Sequence, residues 1–462
     1  MSRSLATSLA LAVASAVVLT AQTGPHEARA KEIFKQLVEI NTTHSVGDTT
    51  KAAEAMAARF KAAGFPDADV RVLGPSAKKG NLVVRYRGTG AKRPMILLAH
   101  LDVVEAKRED WSIDPFVLTE KDGYFYGRGT ADDKTMAAVF VATLLRLKSE
   151  GFVPARDLIL MLTADEEGGP ENGVKWLIAN QRALIDAEFA INEGGGGVMR
   201  KGKYVTNAVQ AAEKVYQDLR LEIRNSGGHS SMPVKDNAIY RLAAGLSRLA
   251  AFEFPPQLND ITRAYFTRAA PAQLDPQTKA DMLAVAKEPM DRAAAARLSA
   301  GSAYFNSLLR TTCVATLLNG GHATNALPQL ATANVNCRIL PGVPVNAVVA
   351  ELTKVLADPG IQISIVDEAT PSKPAVLRDD VMAATEAIVK SMFPGVPVVP
   401  VMSTGATDAL WLRGVGIPIY GVDGLYEDID DIRAHGRDER LGVTSFYEGQ
   451  EFLYRLVKAL SE

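Results

Sequence analysis

An α/β fold is what this sequence predicts: a mostly parallel mixed sheet with helices on both faces, and an α+β ferredoxin-like unit inserted into it. Three observations lead there. Short apolar runs at 94–99, 158–164, 189–192 and 417–421 are continuous rather than alternating, as suits strands covered on both sides. Helical patterns separate them, so strand and helix alternate along the chain. Between about 213 and 368 the character changes to strand, helix, strand, strand, helix, strand, the order of a ferredoxin-like unit.

A chain of 462 residues can hold two domains of ordinary size, and 47% hydrophobic with 23% charged residues is a globular composition. With 51 basic against 53 acidic residues, nothing favours a nucleic-acid groove, so small molecules or peptides are the expected partners.

Taken in order, residues 1–23 carry Arg3, an apolar run over 5–19 and then Thr20-Ala21-Gln22-Thr23. This is the layout of a secretory signal peptide, too short and too poorly flanked for a stable membrane span, with an uncleaved anchor as the competing reading. Export is expected, to a periplasm or out of the cell, with no stable span after processing. Residues 24–212 then form the first part of the main domain, 213–368 the insert and 369–462 the second part.

The first part opens on two helices over 25–60, Ile33, Leu37, Val38 and Ile40 lining one side. Strands follow at 70–73, 81–87 and 94–99, the last ending at His100, and then at 124–127. A helix over 133–148 places Met136, Val139, Phe140, Leu144 and Leu147 on one stripe and is closed by Gly151. Within the insert, strands at 215–224, 313–318, 331–340 and 361–366 accompany helices at 237–251 and 345–356. An Ala-rich helical elaboration fills 255–306, and the chain returns through Pro371 and Pro374 to a last helix at 447–460. Cys313 and Cys337 lie in strand-like runs. They could pair if those strands are neighbours in an oxidising compartment, but two buried free thiols fit equally well.

Candidate chemistry gathers at strand ends, where open α/β sheets bind ligands. His100 follows one apolar run directly, Glu166 and Glu167 follow another and Glu193 a third. Adjacent glutamates on a glycine-loosened turn can point apart, so that one binds a metal while the other moves a proton. Alone, such a pair would read as solvated acids. His100-Leu101-Asp102 puts an imidazole and a carboxylate on one side of an extended segment, as a ligand and the acid that orients it require. Asp132 and Asp133 stand at a helix start, where simple N-capping competes with a metal role. His435 sits in a polar, charged loop and by itself reads as surface decoration. No Gly-x-Ser-x-Gly, phosphate loop or His-Glu-x-x-His is present.

Together these residues resemble one family. The string Ala99-His-Leu-Asp-Val-Val, then Trp111, Pro115-Phe116, Tyr126-Gly-Arg-Gly-Thr-Ala-Asp-Asp-Lys and Asp165-Glu-Glu-Gly-Gly is similar to the M20 metallopeptidases, co-catalytic zinc exopeptidases and amidases. Leu309-Arg-Thr-Thr, Gly320-Gly-His-Ala-Thr-Asn-Ala-Leu-Pro and Val335-Asn-Cys-Arg-Ile-Leu-Pro-Gly resemble the carboxypeptidase S and N-acyl-amino-acid hydrolase branch. The resemblance implies a catalytic domain with an inserted lid, and two divalent ions, Zn²⁺ first and Co²⁺ or Mn²⁺ as substitutes. It makes His100 and Glu193 ligands of one ion, Glu167 and His435 ligands of the other, and Asp132 the bridge, with a cis peptide to Asp133. Glu166 becomes the general base and Asp102 the orienting partner of His100. Two divalent cations against three ligand carboxylates leave such a site close to neutral, as burial demands.

His229, in Ser226-Gly-Gly-His-Ser-Ser-Met-Pro, matches a histidine that stabilises the oxyanion and in dimeric relatives serves the partner subunit's site, so a homodimer through the insert is implied. Without the resemblance it is a loop residue. Arg338, Asn325 and Gly405 match positions that hold a substrate's carboxylate or backbone, although Arg338 could equally make a structural ion pair. The function implied is cleavage of an amide bond next to a free-carboxylate residue, of carboxypeptidase or dipeptidase type. An N-acyl-amino-acid amidohydrolase is the alternative, and a non-catalytic exported binding protein the reading from another class.

Overall fold

The computed structural model describes residues 24–367, 369–370, 373–374 and 376–462. The predicted leader over 1–23 and the Pro371 of the return path lie outside the described residues. Ten strands form the main sheet, in which Met95–His100 runs parallel to Leu158–Thr163 on one side and to Phe189–Asn192 on the other. Ile419–Gly421 continues parallel beyond Phe189–Asn192, while Asn81–Tyr86 and Val70–Leu73 add an antiparallel edge.

The continuous apolar runs have the expected cause. Leu97, Ala99, Leu158, Leu160 and Leu162 pack beneath the helices Pro25–Val38, Lys134–Ser149 and Val443–Ser461. Ile96, Leu98, Ile159 and Met161 face the opposite side, against Val174, Leu177 and Leu412 from the helices Gly173–Asn180 and Ala409–Gly414. Both sides of these strands are dry, so neither set of alternate residues is polar.

A second sheet of four antiparallel strands runs in the order Thr312–Gly320, Leu330–Ile339, Val215–Arg224, Ile361–Val366. This is the strand order of a ferredoxin-like unit. Helices Ala238–Ala251 and Val345–Leu356 cover one face, enclosing Leu219, Leu221, Ile223, Ala333 and Val335. Cys313 and Cys337 are register partners on neighbouring strands and form a disulfide.

Two features depart from the sequence reading. The helices between 260 and 309 lie within the second unit in sequence, yet Ile261, Phe266, Met282, Leu298 and Leu309 join the core of the main sheet, with Asp260–Ala269 against the strand Val398–Ser403. Their apolar faces find the larger surface. The main sheet also contains Gly196–Arg200 and Lys203–Glu213, which the sequence reading leaves unassigned: Tyr204-Val-Thr is strand-like, but the glycines, Asn207, Gln210 and the alanines beside it break the apolar run. Burial of Asn207, Gln210 and Glu213 inside the sheet overrides that composition.

Candidate active site

Three adjacent parallel strands deliver the first side chains. His100 is the last residue of Met95–His100, Glu166 and Glu167 follow Leu158–Thr163, and Glu193 follows Phe189–Asn192, all at carboxyl ends. Asp132 and His435 come in from loops. The oxygen atoms of Asp132 separate two imidazoles: Oδ1 lies 2.8 Å from His100 Nε2 and Oδ2 lies 3.1 Å from His435 Nε2. Glu193 Oε1 is 3.8 Å from the same His100 nitrogen, and Glu167 Oε1 is 2.9 Å from the same His435 nitrogen. The structure thus brings together all five candidate ligands, as two imidazole–carboxylate pairs sharing one aspartate. The Asp132–Asp133 peptide bond is cis.

These donors fit divalent cations on their own chemistry. Burial, and after it the charge of Asp132, pushes the Glu193 carboxyl well above the usual range. So many buried acids call for more positive charge than two imidazoles carry. Imidazole nitrogen with carboxylate oxygen suits Zn²⁺, Co²⁺ or Mn²⁺. His100, Asp133 and Glu193 also present ligand atoms within 4.8 Å of one another, as do His100, Asp132 and Glu167.

Glu166 stands apart from this set. Its carboxylate has no hydrogen bond to another described residue, and burial, with the nearby acids Asp408, Glu167 and Asp132 adding to it, raises its carboxyl well above the usual range while His100 opposes. Asp165 before it has φ 56°, a left-handed conformation, and is held by an ion pair with Lys79.

Asp102 lies beside His100 and also holds the glutamate turn. Its main-chain carbonyl lies 3.0 Å from His100 Nδ1, and its carboxylate is 3.7 Å away. That carboxylate also accepts the backbone N–H groups of Glu166 at 3.1 Å and Glu167 at 3.0 Å. A carboxylate accepts readily from two backbone donors on one turn, so Asp102 clamps the glutamate pair to the end of the histidine strand.

Other expected residues lie elsewhere. His229 is exposed on a two-residue strand, and its Nδ1 pairs with the Ser231 hydroxyl at 2.7 Å. Asn325 stands beside it, its carbonyl accepting the Ser230 N–H at 3.0 Å. Neither is hydrogen-bonded to the carboxylate cluster of its own chain among the described residues. The Gly405 N–H donates to Ser403 Oγ at 3.0 Å, inside its own loop, so as a free backbone donor it is spoken for. Arg338 has no carboxylate within ion-pairing distance among the described residues and stacks on Tyr216, 4.6 Å from the ring centre.

Arg128 and Glu439 have a part in the site that sequence reasoning missed. They form a buried pair at 2.5 Å, and Glu439 Oε1 accepts the N–H groups of Gly129, Ala131 and Asp132 at 3.1, 2.7 and 3.2 Å. This joins the loop carrying Asp132 to the loop carrying His435. Asp408 is similar: it accepts from Asn172 at 2.6 Å and Thr163 at 3.1 Å beneath the Glu166 turn. Gly-Arg-Gly and the charged stretch 433–439 were the signals available, but charged loops are normally solvated.

Comparison with known proteins identifies the family of the chain. Residues 96–459 match the model of peptidase family M20/M25/M40. The human N-fatty-acyl-amino acid synthase/hydrolase PM20D1 is 30% identical over 376 residues, 79% of this chain and 74% of that protein. Mouse aminoacylase-1 is 26% identical over 416 residues, covering 86% and 89%. The crystal structure of the M20 family metallo-carboxypeptidase Sso-CP2 from Sulfolobus solfataricus superposes with a TM-score of 0.70 at 17% identity, over 93% of this chain and 98% of that one, which speaks to the fold. The chain therefore belongs to peptidase family M20/M25/M40 and is a hydrolase acting on amide bonds.

Proposed function

We propose that this protein is a two-metal amidohydrolase that cleaves the amide bond next to a residue with a free carboxylate, in N-acyl amino acids or dipeptides. The observation that carries this is Asp132, whose two oxygens each face one imidazole, with Glu193 on one side and Glu167 on the other. His100 and Glu193 would hold one ion, Glu167 and His435 the second, and Asp132 both, with Zn²⁺ the first candidate. Bound there, the ions supply Lewis acidity toward a water and toward the scissile carbonyl.

The chain's own residues supply the rest. Glu166, unbonded and with a raised carboxyl pKa, takes the proton of the attacking water and returns it to the departing nitrogen. Asp102 fixes its turn, and Arg338 holds the substrate's carboxylate as a bidentate donor. His229, exposed on the second unit, would serve the site of a second copy, making that unit, residues 213–368, both lid and dimer interface. The names of the two curated relatives favour N-acyl amino acids as the first substrates to try, and no described helix is long and apolar enough to cross a membrane. The disulfide is consistent with an exported chain.

Glu166→Gln tests the assignment. The variant should keep its metal content and lose about 10²–10⁴-fold in kcat. Unchanged turnover with normal metal content would remove Glu166 from the mechanism.

A further inference from the structure

The open face of the second sheet carries a polar array that the amide-bond chemistry does not use. Along Val215–Arg224 and Leu330–Ile339, the residues turned away from the apolar core are Tyr216, Asp218, Asn334, Asn336 and Arg338. Asp218 is their centre: Oδ2 accepts the Tyr216 hydroxyl at 2.6 Å, and Oδ1 accepts Asn336 Nδ2 at 2.9 Å and Asn334 Nδ2 at 3.0 Å. Three donors hold this acid, and among the described residues it makes no ion pair with Arg338, although the two share the same face.

Arg338 consequently keeps its five N–H donors for something else. It is half-buried, its guanidinium carbon over the Tyr216 ring at 4.6 Å from the centre, within the range of a cation–π contact. Near it is a second cation, Lys214, almost wholly buried and without a carboxylate partner among the described residues. Among those residues Lys214 Nζ meets the hydroxyls of Ser307 and Thr312, each at 3.3 Å, and Thr312 is the register partner of Arg338. Lys214, Tyr216 and Asp218 line a cavity of about 200 Å³ whose opposite wall is Ala406, Leu410 and Trp411. Next to Ala406 in sequence, the Thr407 hydroxyl accepts from Asn192, the neighbour of Glu193, at 3.3 Å, which ties that loop to the strand end carrying Glu193.

We infer that Tyr216, pinned by Asp218, is the positioning residue that presents the Arg338 guanidinium edge-on to the substrate's carboxylate, with Lys214 adding a second positive charge to that corner. The inference rests on the reading that Arg338 anchors a free carboxylate. A planar guanidinium binds a carboxylate through two parallel N–H···O bonds only if its plane is fixed, and an aromatic face fixes the plane without consuming a donor. An acid in place of Tyr216 would hold the arginine but neutralise it. Lys214, unpaired, makes the corner selective for an anion over a neutral group.

The test compares an N-acyl amino acid with its C-terminal carboxamide, measuring kcat and KM separately. Wild type should prefer the free acid through KM. Tyr216→Leu should raise KM for the acid about tenfold, the worth of one cation–π contact, with kcat nearly constant and the carboxamide unaffected. Tyr216→Trp, which keeps an aromatic face, should hold KM near wild type, and Lys214→Met should raise KM for the acid alone. Tyr216 is 46% exposed, so its replacement does not disturb the core. If Tyr216→Leu retains the wild-type ratio of acid to carboxamide while Arg338→Ala abolishes it, the positioning role is refuted and the carboxylate reading survives. If wild type does not discriminate, or Arg338→Ala changes nothing, the carboxylate reading itself fails.

Discussion

The two sheets of this molecule solve different problems. The main sheet is mostly parallel and dry on both faces, and it presents His100, Glu166, Glu167 and Glu193 from three neighbouring strand ends. Rigidity on both sides lets it hold several acids at fixed separations. The second sheet is antiparallel, covered by helices on one face only, and leaves the other polar. Its edge strand Thr312–Gly320 exposes Val314, Leu317 and Leu318 at 60%, 64% and 65%. The candidate catalytic groups thus sit at the ends of strands packed on both faces, and the candidate substrate-reading groups sit where an open face can meet a ligand.

The largest expected difference between them comes from breaking a tie inside the main unit. Glu439→Ala leaves Arg128 buried without its partner, which typically costs about 3–5 kcal/mol. It also frees the N–H groups of Gly129, Ala131 and Asp132. Calorimetric melting should show that loss of stability together with a drop in bound metal, because both loops that carry Asp132 and His435 are released. Normal metal content in a destabilised variant would show that the Glu439 tie does not shape the site.

Next in size is a paired comparison of core and edge. Leu160 is fully buried in the main sheet, so Leu160→Ala should cost about 2–5 kcal/mol. Val314→Ala on the exposed strand should stay within about 0.5 kcal/mol. Urea titrations of the two variants provide the check. A large cost for Val314→Ala in a dilute sample would mean that this edge is covered in solution.

The disulfide offers a third way to separate the units. It closes a separation of 24 residues across Thr312–Gly320 and Leu330–Ile339, and replacing both cysteines by serine should cost about 2–4 kcal/mol. Hydrogen exchange should locate the loss in the four-stranded sheet and leave Met95–His100 as protected as before. Equal loosening of both sheets would show that they unfold as one.

How much of this could be read from residues alone follows the same division. The strands of the main sheet were legible because burial on both faces writes continuous apolar runs, and strand ends then pointed to His100, Glu166 and Glu193. The second unit was legible from alternation, since Leu219, Leu221 and Ile223 face inward while Asp218, Arg220 and Glu222 do not. Lys203–Glu213 escapes notice because Asn207, Gln210 and three alanines interrupt its apolar residues, while its neighbours on both sides hold it in the sheet. The role of Glu439 was hidden because a buried ion pair between positions 311 residues apart leaves no local pattern. Asp102 is legible as a neighbour of His100, its carboxylate 3.7 Å from Nδ1, but the backbone donors of the Glu166 turn that it also accepts leave no mark in the spacing.

The smallest effect concerns the junction of the two sheets, where Lys214 separates Lys203–Glu213 from Val215–Arg224. Burial first, and the Arg338 charge second, pull its ammonium from 10.5 down to about 7. In the unfolded chain Lys214 binds its proton up to 10.5, so between about 7 and 10.5 unfolding takes up a proton and stability rises with pH. Below 7 both states are protonated and the full cost of burying the charge is present. Lys214→Met should therefore be more stable than wild type near pH 6, by about 1–3 kcal/mol after the lost hydroxyl contacts are subtracted, and the gap should close toward pH 10. Melts at three pH values across that window measure it. A constant gap would mean that the lysine stays charged throughout, paired with a group other than the two hydroxyls; a closing gap, with the KM of the acid substrate raised in the same variant, would show a residue kept at a cost in stability for the anion it helps to bind.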